Sequence, residues 1–142
     1  MTPIEWLDHT ADMGFRASGD TIEGAFCEAA RALFSLMFAL EEIRPRTEHR
    51  IAVSATSLSE LLVEWLSELL VQKELSGLVF NRFEVAITGK ELSGFSAIGR
   101  AFGETLDRDR HRPGTEVKGI SYLGLDVSQR DEMWVVQAVV DV

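Results

Sequence analysis

The stretch Ile4-Glu5-Trp6-Leu7-Asp8-His9-Thr10-Ala11-Asp12-Met13-Gly14-Phe15-Arg16-Ala17 sets two apolar segments around a polar knot. The knot gathers two carboxylates, an imidazole and a hydroxyl, and glycine closes it. The spacing predicts two short strands over residues 3 to 19 with the knot as their turn, ending at Ser18-Gly19. Strands hold such a turn rigid while exposing its polar groups, so this is where a site belongs. On spacing alone, the ordinary role of an aspartate such as Asp12 is to form or cap the turn.

From this start the pattern runs outward through two helices. Asp20 is a good N-cap, with Glu23 three residues on. Ile22, Ala25, Phe26, Ala29, Ala30, Leu33 and Phe34 then recur at helical spacing. Leu36, Met37, Phe38 and Leu40 widen the apolar surface, as expected of a heavily buried helix. A charged connection from Glu41 to Pro45 leads to a strand predicted over Arg50 to Ser54. Ser57 and Glu60 then form a second capping box. The stripe Leu58, Leu61, Leu62, Trp65, Leu66, Leu69 and Leu70 follows, and a stop is expected at Ser76-Gly77.

Beyond Leu78 the period changes to two. Phe83, Val85 and Ile87 alternate with polar residues, Gly89-Lys90 is expected to turn the chain, and Phe95 to Phe102 returns as a partner strand. Glu104 to Gly114 reads as a charged loop. Two closing strands are expected, Glu116 to Val127 and Met133 to Val142, around a Ser128 to Glu132 turn. The order is two strands, helix, strand, helix and four strands. It predicts a single α+β domain over residues 1–142, with two helices on a mixed β-sheet or on layered sheets.

Composition narrows the function. The net charge is -9, from 23 acidic and 14 basic residues, so phosphates are repelled and strong direct nucleic-acid binding is not expected. Cys27 is the single cysteine. It permits no internal disulfide, and its place in a helical pattern fits a packing residue better than a catalytic thiol. No signal peptide and no apolar window of about 20 residues is visible, so a cytoplasmic protein without a membrane span is expected. His49 and His111 stand in charged stretches that read as exposed and take no role. Phosphate loops, nucleophile elbows and zinc-finger spacings are absent.

The closing strand carries one anomaly. Trp134, Val136, Ala138 and Val140 share a face, while Asp141 ends the strand just before Val142. Carboxylate oxygens without a Cys or His pair suit a hard cation, calcium or magnesium, better than zinc. Bringing Asp12 near Asp141 is costly unless a cation lies between them. Asp8 and Asp12 acting as a general acid/base pair in a divalent-metal hydrolase is a weaker reading, because few other groups converge on them.

Asp8-His9-Thr10-Ala11-Asp12, Ala29-Ala30-Arg31-Ala32-Leu33-Phe34, Leu61-Leu62-Val63-Glu64-Trp65-Leu66, Gly114-Thr115-Glu116-Val117-Lys118-Gly119-Ile120-Ser121-Tyr122 and Asp141-Val142 together resemble the archease family. The resemblance runs in the same order over essentially the whole chain. Archeases are small partners of the RtcB-type RNA-splicing ligase. The resemblance implies a protein that is not itself an enzyme. It would promote the metal-dependent guanylylation of the ligase's histidine, restore the ligase for multiple turnover, and broaden its choice of nucleotide, in tRNA splicing or RNA repair. It also implies a metal site of Asp12, Asp141 and Val142, the last through a backbone or terminal oxygen, and a functional role for Lys118. Asp8 and His9 match the signature as supporting or structural residues. A chaperone-like role toward an RNA-modifying enzyme is the alternative from another class.

Overall fold

A computed structural model describes residues 3–8 and 12–142; of Asp8 and Asp12 it describes the backbone alone. Strands β1 (Ile4–Asp8) and β2 (Asp12–Gly19) flank the polar knot, and helix α1 (Ile22–Met37) follows. The expected N-cap at Asp20 is displaced by one residue. Thr21 has the extended backbone, and its hydroxyl accepts from the Gly24 N–H at 2.9 Å. Two adjacent residues that can both cap are not separated by sequence pattern alone.

After a single 3-10 turn (Leu40–Glu42), β3 spans Thr47–Ala55, longer than the stretch expected because polar Thr47 to His49 also pair with β5. Helix α2 (Leu58–Ser76) starts as predicted, with the Ser57 hydroxyl accepting from the Glu60 N–H, and stops at Gly77 in the left-handed conformation. Strands β4 (Leu78–Lys90) and β5 (Gly94–Thr105) form a long hairpin. Its turn lies just past the expected Gly89-Lys90, which still pair with Phe95 and Gly94.

The charged segment after β5 is not all loop. It contains a one-turn helix α3 (Arg108–His111), capped by the Asp107 carboxylate. The strand expected over Glu116 to Val127 is two strands, β6 (Gly119–Ile120) and β7 (Asp126–Arg130), separated by a turn in which Gly124 has φ +74°. Strand β8 (Met133–Asp141) closes the fold.

Of the two arrangements left open, the layered one is present. One sheet has five strands, β1-β2-β8-β6 with β7 also on β8; the other has three, β3-β5-β4. Among the described residues every pairing is antiparallel, so neither sheet is mixed in direction. Both long helices touch strands of both sheets and lie between them.

The core forms where their apolar stripes meet the inward faces. Phe15, Ala17, Val136, Ala138 and Val140 come from one sheet, and Ile51, Val79, Phe80 and Phe83 from the other. Phe34 meets Phe80 edge-on and Phe83 at a tilt, each at 5.6 Å between ring centres. Among the described residues no helix is long and apolar enough to cross a membrane.

Candidate functional site

The strand register decides which predicted site residues meet. Asp12, at the start of β2, lies directly across from Asp141, at the end of β8. On the other side of β8, Gly119 is the partner of Asp141, and the Lys118 N–H donates to the Asp141 carbonyl at 2.8 Å. Asp141 therefore stands between the segments that bear Asp12 and Lys118, and Val142 follows it. Asp8 ends β1 opposite Met13, one strand further out. His9, Thr10 and Ala11, with the side chains of Asp8 and Asp12, lie outside the described residues.

At this end of the sheet Asp141, Lys118 and Val142 are exposed, and among the described residues neither Asp141 nor Lys118 forms an ion pair. Gly119 lies beside this carboxylate: a Cβ there would stand 3.9 Å from Asp141 Oδ2, an ordinary van der Waals contact. Oxygen donors of this kind match calcium or magnesium. No group of three or more His, Cys, Asp or Glu among the described residues could hold a metal, so a cation here depends on Asp12 joining Asp141.

The segment carrying Lys118 is held at both ends. The last turn of α1 leaves carbonyls without helical partners. Those of Met37 and Leu36 accept from the Gly114 and Thr115 N–H groups at 2.7 and 2.9 Å. The approach is close, since a Cβ at Gly114 would come within 2.9 Å of the Leu36 oxygen. Val117 and Ile120 then bury their side chains in the core, which leaves Lys118 between them facing out. Hydrogen bonds from Lys118 to Asp141 and from Ser121 to Val139 complete the attachment to β8.

Upstream, a buried polar network that sequence reasoning missed fixes the same segment. His111, expected to be exposed, is fully buried. Its Nδ1 accepts from the Asp107 N–H at 2.9 Å, which puts the ring proton on Nε2, 2.9 Å from Glu104 Oε2. That same oxygen accepts from the Arg110 guanidinium and the Arg44 N–H, each at 2.7 Å. The His111 carbonyl ties the network to Ala39, just past α1. His49 is also half-buried and hydrogen-bonded to Gln72 at 2.7 Å. The available signal was Asp107 as a cap for a short helical turn, which would have placed His111 beneath it.

The Arg110 guanidinium, helped by the Arg44 N–H and His111, holds the Glu104 carboxyl well below the usual carboxylate range. A carboxyl more acidic in the folded than in the unfolded state stabilises the fold above its ordinary value and loses that contribution as pH falls toward its folded value. Urea midpoints measured from pH ~7 to ~3 should therefore decline. Glu104→Gln should have a lower midpoint at neutral pH and a flatter decline; an unchanged pH profile would show that Glu104 contributes nothing to it. Cys27 is different. Burial first, then Glu28, Glu84 and Glu23, pushes its thiol up to about 11. It stays protonated and packs beside the core, as expected of a structural cysteine.

Helices enclosed between a three- and a five-stranded sheet define a small α+β class that is known from solved structures. Protein 1598 of Methanobacterium thermoautotrophicum superposes with a TM-score of 0.86 at 28% identity over 100% of both chains. An archease and possible chaperone from Thermotoga maritima shares the fold, with a TM-score of 0.60 at 17% identity over 96% of this chain and 94% of that one. Residues 5–142 match the Archease protein family (MTH1598/TM1083), and the chain belongs to that family. It is 42% identical to the archease of Methanopyrus kandleri over 98% of this chain and 99% of that protein. The archease of Pyrococcus furiosus is 38% identical over 100% of both.

Proposed function

We propose that this archease is a divalent-metal-binding activator of an RtcB-type RNA ligase and not itself an enzyme. Acting in the cytoplasm, it would promote guanylylation of the ligase and multiple turnover in tRNA splicing or RNA repair. The observation that carries the reading is the register that sets Asp12, Asp141 and the Lys118-Gly119 segment side by side at one end of the five-stranded sheet. Asp12, Asp141 and an oxygen of Val142 would hold calcium or magnesium, a hard ion that offsets negative charge on phosphates. Lys118 would supply a second positive group facing the partner, while Asp8 and His9 support the turn. The charge of -9 favours docking on a basic RNA enzyme over contact with RNA itself.

The test is RNA joining by the ligase of the same organism with the protein present in substoichiometric amounts. An activator raises product beyond one turnover per ligase at such ratios. The Thermotoga protein's description as a possible chaperone favours a second reading, a chaperone-like role toward an RNA-modifying enzyme. On that reading the amount needed would track the client concentration, and the benefit would lie in preventing aggregation.

A further inference from the structure

Three residues after Gly119 the chain does something unusual for a turn. It holds Tyr122 and Leu123, adjacent and apolar, 68% and 80% exposed. Scattered single apolar residues on a surface need no explanation, but this pair is fixed in place. Ser121 donates its N–H to the Val139 carbonyl at 2.8 Å, and its hydroxyl accepts from the Leu123 N–H at 3.0 Å. Gln137 donates to the Gly124 carbonyl at 3.0 Å. Gly124, at φ +74°, lies so close over Val139 that a Cβ would come within 3.0 Å of its methyl group. The turn is thus bound to β8 along its base, and its two large side chains project from a rigid support. A backbone held this way loses little conformational entropy on binding.

The turn also adjoins the candidate site. Tyr122 is four residues from Lys118, at most about 14 Å along an extended chain. A standard protein interface covers about 800 Å² per partner, a disc roughly 16 Å in radius. A macromolecule centred over Lys118 and Asp141 therefore reaches Tyr122, and the bond from the Leu123 N–H to the Ser121 hydroxyl keeps Leu123 beside it.

We infer that Tyr122 and Leu123 are the apolar anchor by which this protein docks on its partner, entering an apolar pocket beside the surface that Asp12, Asp141 and Lys118 address. The inference rests on the proposed function for the partner's identity, the RNA ligase. It divides the labour at this end of the molecule: the tip supplies affinity, and the carboxylates and lysine act on the ligase. Buried aromatic anchors commonly dominate interface energetics in this way.

The experiment titrates wild type, the Tyr122→Ala/Leu123→Ala double variant and Leu92→Ala against the ligase, reading direct binding by calorimetry and multiple-turnover joining in parallel. Leu92, at the tip of the β4–β5 hairpin on the other sheet, is fully exposed and serves as the control. The double variant should bind about 10-fold more weakly or worse. Its half-maximal concentration for stimulation should rise in proportion while the plateau at saturation is kept, and Leu92→Ala should match wild type. Wild-type affinity in the double variant overturns the inference, as does an equal loss in Leu92→Ala. A wild-type dimer that the double variant splits in sedimentation assigns the tip to self-association and also overturns it. If wild type binds without stimulating joining, the activator reading fails, yet weaker binding by the double variant still supports the anchor. If wild type does not bind at all, both fall.

Discussion

Asp12→Ala and Asp141→Ala are each expected to lower the maximal stimulation of RNA joining by roughly 100-fold, with calcium or magnesium affinity falling alongside. Losing a group that merely orients a metal ligand typically costs 10- to 100-fold, and losing a ligand costs at least the upper end. The two substitutions should be equivalent because Asp12 and Asp141 face each other across one strand pair. Lys118→Ala is expected to separate the two readouts, retaining cation affinity while stimulation falls. In metal-free buffer Asp141→Ala should melt no lower than wild type, since on this reading the two carboxylates repel when no cation lies between them. Wild-type stimulation by all three variants would refute the site. Wild-type cation affinity in both aspartate variants would remove the metal from it.

Trp65→Ala carries the largest expected stability effect. Trp65 is fully buried in α2, and its indole N–H donates to the Phe26 carbonyl of α1 at 3.1 Å, so one side chain joins the two helices. Truncating a buried tryptophan costs about 3–5 kcal/mol through lost transfer energy and the cavity left behind. For a chain of this size that corresponds to a fall in Tm of roughly 10–15 °C, read by circular dichroism. Trp65→Phe keeps most of the apolar volume and should lose about a third as much. A change of only two or three degrees in Trp65→Ala would show that the space beside α1 collapses at little cost.

How much of this was legible in the sequence depends on the range of the interactions. Helix α2 was readable because its signals are local: Ser57, Glu60, the leucine stripe and Gly77 all lie within one element. The strand expected over Glu116 to Val127 failed for the opposite reason. Its break after Ile120 comes with the packing of Gly124 against β8, where it lies over Val139 and its carbonyl accepts from Gln137, which no alternation within the segment records. His111 was misplaced because a histidine among arginines and aspartates looks solvated. Its burial depends on Glu104, whose carboxylate is in turn held by Arg44, a residue distant along the chain. The site divides the same way. Asp141 was noticed as an anomaly of its own strand, but its alignment with Asp12 is a property of β2–β8 pairing, and family resemblance, not spacing, pointed to it. The anchoring of Lys118 through Gly114 and the α1 carbonyls had no sequence signal that patterning could use.

Strand β8 is paired on both sides, with β2 on one flank and β6 and β7 on the other. Asp12 and Asp141 lie 129 positions apart in the chain. During synthesis, then, β2 leaves the ribosome long before the strand it needs, whereas β3, α2, β4 and β5 are contiguous and can pair among themselves first. The five-stranded sheet closes only once β8 has emerged, and the aspartates meet at the same moment. A chain truncated before β8 has no register to bring Asp12 to its counterpart. Completion of the fold and assembly of the candidate site are a single event in the life of the molecule.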